Sequence, residues 1–416
     1  MIRRRTWTDW TKVEFSDLFA SPPRNGIYKS KEFQGYGTPL VKMNELFRLS
    51  FISIENCYFE KISLTESEKQ KLLLADQDLL FSRTSVVADG VGKCSLIRLP
   101  KGKELIFDSN IIRIRLNQKE AIPLFYFYYF SSPQGRNKIK AIASGAAVTT
   151  VTGKNLSSLE VPHPSIPIQR KIAAILSAYD RLIENNTRRI EILEEMARSI
   201  YREWFVKFRF PGHEQVQMVD SELGLIPEGW EVVCLGKLAS FHTGKLNSNA
   251  AKPNGVYHFF TCSQEIFRTD TYSFDTECVL LAGNNANGVF HIKYFKGKFD
   301  AYQRTYVIRS LNQHQVTNYY LYFAIKAQLE HLKSISTGSA TKFLTLTILT
   351  NLNIIVSLPD IQDKFAKFIF VVFSEIKLLQ AKNANLRQTR DLLLPRLISG
   401  EIDVENLDIN TGSIAA

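Results

Sequence analysis

Two long stretches of the chain have apolar residues spaced as on one face of an α-helix. In each stretch two rows of residues repeat every seven positions, and the second row lies four residues after the first. The rows are Ile172, Tyr179, Asn186, Leu193, Ile200 with Leu176, Ile183, Ile190, Ala197, Trp204, and then Phe365, Val372, Leu379, Leu386, Leu393 with Ile369, Ile376, Asn383, Arg390, Leu397. This heptad spacing predicts two long amphipathic helices that form an antiparallel coiled-coil pair.

Two features interrupt these helical patterns. Asn186 either fixes the register of the helix pair or, with Asn185, marks a surface kink or a partner contact, and the sequence leaves both interpretations open. Pro395 predicts that the second helix ends or bends there, because proline has no N–H to donate and clashes with the preceding turn.

Shorter apolar segments before each helix predict β-strands. They lie at residues 79–86, 94–99 and 111–116, and at residues 279–283 and 305–311. Asn287-Gly288 is a hairpin signal. The aromatic runs FYFYYF (125–130) and NYYLYF (318–323) could stack on bases, but their position before a helix-like segment favours buried core. The predicted fold class is mixed α/β (α+β), with two domains in tandem, each followed by a long helix.

The two halves of the chain are copies of one unit. PIQRKIAAIL in the middle matches DIQDKFAKFI near the end, and Gln169 aligns with Gln362 at an offset of 193 residues (362 − 169). The same offset, without a gap, aligns Ser144 and Gly145 with Thr337 and Gly338, and Leu193 with Leu386. An ungapped register of this length indicates a duplication.

Composition adds a weak preference for a polyanionic partner. The 416 residues carry a formal net charge of +11, which favours nucleic acid but also occurs in proteins that never meet it. The five cysteines form no C-x-x-C pair and predict free thiols in a reducing compartment. The N-terminus has no signal-peptide core, and the purest apolar run, residues 122–130, is shorter than the ~20 residues of a membrane span. We expect a soluble, cytoplasmic protein without a membrane partner.

Motifs of a DNA-modifying enzyme are incomplete, so no catalytic, cofactor-binding or metal-binding residue is predicted. FQGYG (33–37) fits an S-adenosylmethionine loop, but no apolar strand precedes it and no N-P-P-Y or D-P-P-Y follows. Pro359-Asp360 with Glu375-x-Lys377 has nuclease-like spacing, but the glutamate and lysine fall on a helix pattern rather than on paired strands. Two functions stay open at this point, a single-chain methyltransferase or nuclease and a coiled-coil scaffold that does not bind DNA.

Several segments resemble the specificity subunits of Type I restriction-modification systems. REWFVKFRFPGHE (202–214) followed by DSELGLIPEGWEV (220–232) is similar to the family's junction between the central helix and the second recognition domain. LLLPRLISGEIDV (392–404) resembles its distal conserved region. AGNNANGVF (282–290) with GKFDAYQRTYV (297–307) resembles one class of its target recognition domains.

The resemblance implies a non-catalytic subunit that reads an asymmetric, bipartite site on double-stranded DNA. It implies two methyltransferase subunits and restriction subunits as partners, which methylate adenine or restrict the DNA and bind S-adenosylmethionine and ATP, while this chain binds no cofactor. The paired helices would set the distance between the half-sites. The implied segments are target recognition domain 1 (1–165), the central helix (166–212), target recognition domain 2 (213–358), the distal helix (359–404) and a tail expected to be disordered (405–416).

Residue types suited to base edges and phosphates give the candidate DNA contacts. Arginine pairs with guanine, asparagine and glutamine pair with adenine, and hydroxyls and lysines hold phosphates. In the first domain the candidates are Arg83, Thr84, Ser85 and Lys93, with the loop of Ser144, Gly145, Thr149 and Thr150 on the DNA backbone. In the second domain they are Asn284, Asn285, Gln303 and Arg304, with Ser336, Thr337, Gly338, Ser339, Thr341 and Lys342 on the backbone. Asn287 is better explained as a turn former, and Arg83 or Arg304 could instead be a structural ion-pair partner.

Overall fold

The structure is a computed structural model that describes residues 10–55, 57–86, 90–145 and 149–412. Residues 146–148 of the predicted backbone-binding loop and residues 413–416 of the predicted tail lie outside these ranges. The chain divides into two compact units. The first contains Met1–Asn186 and Lys382–Ala416, and the second contains Thr187–Ala381. Each long helix therefore contributes one part to each unit.

The first unit has a five-stranded sheet at its centre. Its strands are β1 Lys12–Glu14, β2 Phe19–Asn25, β3 Gln34–Val41, β4 Phe51–Ser53, β5 Glu60–Ile62, β6 Leu79–Ser82, β7 Thr84–Ser85, β8 Cys94–Arg98, β9 Ile106–Phe107, β10 Ile111–Leu116, β11 Thr149–Thr150 and β12 Glu160–Pro162. Its helices are α1 Met43–Arg48, α2 Glu66–Leu72, α3 Pro123–Ser131, α4 Pro133–Ile142 and α5 Gly153–Ser157. The central sheet has the strand order β2-β10-β6-β8-β4.

Alternating side chains of this sheet enter two cores. Ile112 and Ile114 of β10 pack in the cluster that contains α3, whereas Ile111 packs with Leu80 and Phe107 on the other face. This alternation follows from the two-residue period of a strand. Every residue from Phe125 to Phe130 is buried, so the prediction that this aromatic run is core is confirmed.

The second unit repeats this architecture around a six-stranded sheet. Its strands are β13 Met218–Ser221, β14 Gly224–Pro227, β15 Glu231–Cys234, β16 Ala239–Thr243, β17 Tyr257–Phe260, β18 Ile266–Thr269, β19 Phe274–Ala282, β20 Asn284–Asn285, β21 Ile292–Ala301, β22 Thr305–Ser310, β23 Lys342–Phe343 and β24 Asn353–Val356. The helices that complete the chain are α6 Ile166–Tyr201, α7 Leu235–Leu238, α8 Asn318–Ala327, α9 Leu329–Ile335, α10 Leu346–Thr350 and α11 Pro359–Ile398. The strand order of the six-stranded sheet is β16-β22-β19-β21-β17-β18, and its first four strands correspond in turn to β2, β10, β6 and β8 of the first unit. The predicted mixed fold with two tandem domains and long helices is confirmed.

The long helices α6 and α11 run antiparallel within each unit. In the first unit Arg390 of α11 forms an ion pair with Asp180 of α6, and the amide of Asn186 donates to Oδ1 of Asn383 at 2.9 Å. In the second unit Arg189 of α6 lies 3.1 Å from Glu375 of α11. From pair to pair the residue number rises along α6 and falls along α11, as expected for antiparallel helices. These contacts support the interpretation of Asn186 as a register-fixing residue, while coiled-coil packing itself stays a prediction.

The second helix passes through Pro395. Of the two outcomes predicted there, an end is wrong, because the helix ends three residues later at Ile398, which is fully buried in the core of the first unit. A bend at Pro395 stays a prediction. Burial of this last turn compensates for the hydrogen bond that proline cannot donate. Near the start of the tail, Lys171 donates to the carbonyl of Glu405 at 2.8 Å, and the N–H of Leu407 donates to the carbonyl of Val404 at 3.2 Å. Most described residues of the tail are exposed, and its disorder stays a prediction.

Candidate nucleic-acid interface

In the first unit, candidate DNA contacts from separate parts of the sequence meet in one small sheet. Strand β7 pairs antiparallel with β11, so that Ser85 lies opposite Thr149 and Thr84 opposite Thr150. Ser144 extends the arrangement, because its N–H and C=O exchange hydrogen bonds with those of Thr150 at 3.0 and 2.8 Å. We call residues 84–85, 144 and 149–150 the first small sheet. It brings five of the predicted hydroxyl-bearing residues together.

The second unit has an equivalent small sheet with a different set of side chains. Strand β20 pairs with β23, which places Asn284 opposite Phe343 and Asn285 opposite Lys342. Thr337 exchanges main-chain hydrogen bonds with Phe343 at 3.1 and 2.8 Å, as Ser144 does with Thr150. We call residues 284–285, 337 and 342–343 the second small sheet. The second small sheet therefore carries amide, hydroxyl and ammonium groups, whereas the side chains of the first small sheet are hydroxyls.

Both small sheets are attached to their central sheets in the same way. The N–H of Arg83 donates to the carbonyl of Asn110, which precedes β10, at 2.7 Å. The N–H of Gly283 donates to the carbonyl of Arg304, which precedes β22, at 2.8 Å. Each small sheet is thus held by main-chain bonds that do not depend on side-chain identity. Side chains at these positions can change without loss of the scaffold.

One glycine in each copy allows the tight return of the chain into the small sheet. Gly145 has φ +115° and Gly338 has φ +94°, in the left-handed region that side chains disfavour. A Cβ on Gly338 would lie 2.1 Å from the carbonyl oxygen of Thr341. These two residues are aligned in the sequence repeat, and the shared backbone conformation explains why glycine occupies both positions.

Two exposed polar residues of the second unit lie in the turn beside its small sheet. Gln303 and Arg304 are exposed in the turn before β22, and the guanidinium of Arg304 lies 5.5 Å from the centre of the Phe343 ring. The side-chain oxygen of Asn284 is buried and has no hydrogen-bond partner among the described residues. Within the part of the chain that the structure describes, neither Arg304 nor Arg83 forms an ion pair, so a structural ion-pair role for them finds no support.

Some candidates also have contacts within their own unit. The ammonium of Lys93 donates to the carbonyl of Phe47, and burial together with the charge of Arg136 lowers the pKa of this lysine. The hydroxyl of Ser336 donates to a main-chain carbonyl at 2.7 Å. Oδ1 of Asn285 accepts from the N–H of Asn287 at 2.9 Å. The last contact forms the predicted turn, so Asn287 is confirmed as a turn former, while the role of every candidate in DNA binding stays a prediction.

Two polar residues near the small sheets were missed by the sequence reasoning. The hydroxyl of Thr84 lies 3.4 Å from Oδ1 of Asn110, and the side chains of Lys333 and Lys342 both approach Gly288. Asn110 and Lys333 belong to segments remote in sequence from β7 and β20. The alignment of the two copies points to Asn110, because Asn110 occupies the position equivalent to Arg304 in the second copy.

The alternative functional motifs gain no support from the described residues. Glu375 is the ion-pair partner of Arg189. In the ranges that the structure describes, His, Cys, Asp and Glu side chains form no group of three or more with metal-binding geometry. A search of the same residues found no helix with the length and hydropathy needed to span a bilayer.

Comparison with known proteins identifies one family domain in two segments of the chain. A sequence model for the Type I restriction modification DNA specificity domain matches residues 8–195 and 227–388. The chain is 32% identical over 186 residues to the specificity subunit of the Type I restriction enzyme EcoDI of Escherichia coli, which covers 44% of this chain and 40% of that subunit. It is 27% identical to the MjaIX specificity subunit of Methanocaldococcus jannaschii, over 98% of this chain and 99% of that one.

A solved structure has a similar fold. The crystal structure of the S subunit of a Type I restriction-modification system from M. genitalium superposes with a TM-score of 0.59 at 17% identity, covering 95% of this chain and 97% of that one. At this level of identity the similarity concerns the fold. It extends over both units and both long helices.

Proposed function

The chain belongs to the family of Type I restriction-modification DNA specificity proteins, and from this premise we propose that each of its two units reads one half of an interrupted DNA site. The observation that supports this most directly is the pair of small sheets. They share one main-chain scaffold but carry different side chains, only hydroxyls in the first and two amides, a hydroxyl, an ammonium and a phenyl ring in the second. A duplicated scaffold with different side chains is suited to reading two unrelated base sequences.

We further propose that the chain has no catalytic centre and acts through partner subunits. S-adenosylmethionine and ATP would be bound by methyltransferase and restriction subunits, and helices α6 and α11 would connect the two recognition units and dock the methyltransferases. The absence of complete enzyme motifs from the sequence and the naming of the relatives as specificity subunits support this assignment.

The proposed function is tested with the purified chain and its methyltransferase subunit. The complex should retard duplex DNA and methylate adenine within one bipartite motif, whereas the chain alone should have no methyltransferase, nuclease or ATPase activity. A scaffold that does not bind DNA would leave the duplex unretarded. Turnover by the pure chain that disappears on Glu375→Gln or Gly35→Ala substitution would identify an enzyme instead.

A further inference from the structure

A cleft beside the central sheet of the first unit collects four cationic side chains. Arg24 of β2, Arg113 and Arg115 of β10, and Lys71 of α2 line a cavity of about 500 Å³ together with Ser21. The strand register brings Arg113 opposite Arg24, and Arg115 opposite Ser21. None of these residues was a candidate DNA contact, because the sequence does not show which strands are neighbours.

The positive charge of this cleft exceeds the negative charge available to balance it. The single buried carboxylate, Asp78, is engaged by Arg115 through two hydrogen bonds of 2.7 Å. Arg24 and Lys71 are exposed and form no ion pair with any described residue. Arg24 and Lys71 therefore have no counter-ion within the described part of the unit, and Arg113 shares the charge of Asp78 with Arg115.

Unused hydrogen-bond donors accompany this excess charge. Arg113 is only 6% exposed and donates one bond, to the carbonyl of Leu73 at 3.2 Å, while its Nε has no partner. The buried hydroxyl of Ser21 also lacks a partner. Burial lowers the pKa of Arg113, Asp78 raises it, and Arg115 and Arg24 lower it further, as expected for a cation among like charges. A buried guanidinium with an unpaired donor is unusual, and a bound anion or water would complete its hydrogen bonding.

The second unit indicates that the fold does not require an arginine at this position. Arg113 lies opposite Leu80 in its sheet, and the residue in the equivalent register of the second unit is Val307, opposite Leu280. Val307 is fully buried in an apolar cluster. The buried cation is therefore a feature of the first unit alone.

We propose that the cleft of Arg24, Lys71 and Arg113 binds a phosphate group of the DNA backbone. Guanidinium groups match the geometry of phosphate oxygens, and several converging donors suit an anion with several acceptors. Arg113 is three residues from Asn110, which holds the first small sheet, so the two lie about 10 Å apart along β10. That distance is about three base-pair steps. The inference rests on the proposed function, since DNA at the first small sheet supplies the phosphate.

The test is the salt dependence of DNA binding by the full-length chain with its methyltransferase subunit. Affinity falls as salt rises, so the slope of log affinity against log salt is negative. Arg24→Gln and Arg113→Val should each make this slope less negative by about 0.9. The second variant installs the residue that the second unit has at this position. The loss of DNA-binding affinity relative to wild type should therefore shrink about three-fold between about 50 and 200 mM salt. The methylated motif should not change. Lys103→Gln, at an exposed lysine outside the cleft, is the matched control and should keep the wild-type slope.

A second measurement identifies the source of the phosphate. Inorganic phosphate should raise the melting temperature of the wild-type chain above that in chloride of equal ionic strength, and Arg24→Gln should abolish the difference. If the Arg24→Gln and Arg113→Val complexes fold but keep the wild-type slope of log affinity against log salt, the proposal is overturned. This holds even if free phosphate still stabilises the chain. If Arg113→Val does not fold, Arg24→Gln decides alone. A wild-type complex that binds no DNA would instead refute the proposed function, and with it the DNA origin of the phosphate.

Discussion

Two glutamines at equivalent helix starts have opposite hydrogen-bonding situations. Oε1 of Gln169 accepts from the N–H of Ile122 at 2.9 Å, and its amide donates to the carbonyl of Pro164 at 2.8 Å. Gln362, its counterpart in the repeat, is equally buried, but neither its oxygen nor its nitrogen has a partner among the described residues. The sequence repeat predicts the same residue at both positions. It does not reveal that only one of them completes a hydrogen-bond network.

Substitution of the two glutamines by leucine should therefore have unequal effects on stability. Gln169→Leu leaves the N–H of Ile122 buried without an acceptor and should cost about 1–3 kcal/mol of unfolding free energy. Gln362→Leu removes two unpaired polar atoms and should be neutral or stabilising. Denaturant unfolding of both variants measures the difference, and equal destabilisation by the two would contradict this account.

The polar side chains in the second small sheet and beside it should affect one half of the DNA motif only. Replacement of Asn284, Asn285 and Arg304 by alanine should reduce discrimination at a single half-site, at about 1–3 kcal/mol for each lost base contact. The reason is that the two small sheets belong to separate units with their own cores. Binding measurements on duplexes altered in one half or the other provide the test. Equal loss at both halves would count against independent reading.

Residue types alone predicted every member of the small sheets except Phe343, but not their surroundings. Hydroxyl, amide and basic residues near the turns were chosen because they suit DNA, and strand pairing then brings Thr84 to Thr150 and Asn285 to Lys342. The contact of Lys93 with a main-chain carbonyl was not predictable, because it joins segments 46 residues apart. Pairing between distant strands is a property of the folded chain and leaves little trace in a single sequence.

At the scale of elements, the helix pair of the first unit has a polar contact between Asn186 and Asn383. Asn383 is 3% exposed, accepts from the amide of Asn186, and directs its own amide toward the carbonyl of Ile183 at 3.4 Å. Around it the heptad rows are mainly apolar, with Arg390 as the charged exception one heptad further along α11. A polar pair in an apolar seam costs stability but penalises other registers, in which each amide would be buried alone.

A double-mutant cycle on this pair should separate stability from register. Asn383→Leu alone should lower the unfolding free energy by about 1–3 kcal/mol, because the amide of Asn186 loses its acceptor. The double variant Asn186→Leu with Asn383→Leu should recover most of that loss, with a coupling energy of about 0.5–3 kcal/mol. Asn186→Leu completes the cycle. Strict additivity of the single changes, measured by denaturant unfolding, would show that the two amides do not act as a pair.

Element boundaries followed from the sequence where local chemistry decided them. The predicted strands at 94–99 and 111–116 correspond to Cys94–Arg98 and Ile111–Leu116, because apolar alternation and turn residues set both ends. The end of α11 did not follow, because burial of Ile398 outweighs the local effect of Pro395. Tertiary packing thus overrides propensity where a terminal turn joins a core.

At the scale of the whole molecule, the duplication constrains how the helices are shared. Both units combine the first part of one long helix with the last part of the other, and the border lies at Asn186 in α6 and at Ala381 in α11. The repeat offset relates Asn186 to Leu379, within two residues of that border. A change that preserves the symmetry of the two helices must therefore be made in both at this position.

Lengthening both helices should change the spacing of the DNA halves without changing their sequences. Insertion of four residues after Asn186 and four after Ala381 adds about one turn, ~6 Å, to each helix. Four residues locally unwind a coiled coil but keep its apolar seam continuous. Because base pairs are stacked ~3.4 Å apart, the preferred gap between half-sites should grow by one or two base pairs. Some affinity should be lost, since the duplex also rotates with ~10.5 base pairs per turn.

The methylated motif of the insertion variant, determined by sequencing modified DNA, decides whether the helices act as the spacer. The matched control carries the four-residue insertion after Asn186 only. It should be unstable or inactive, because α6 would gain a turn that the antiparallel α11 lacks. The ion pairs Arg189–Glu375 and Asp180–Arg390 could then not form at the same time. An active double insertion that retains the original gap would show that the distance between the half-sites is set outside α6 and α11.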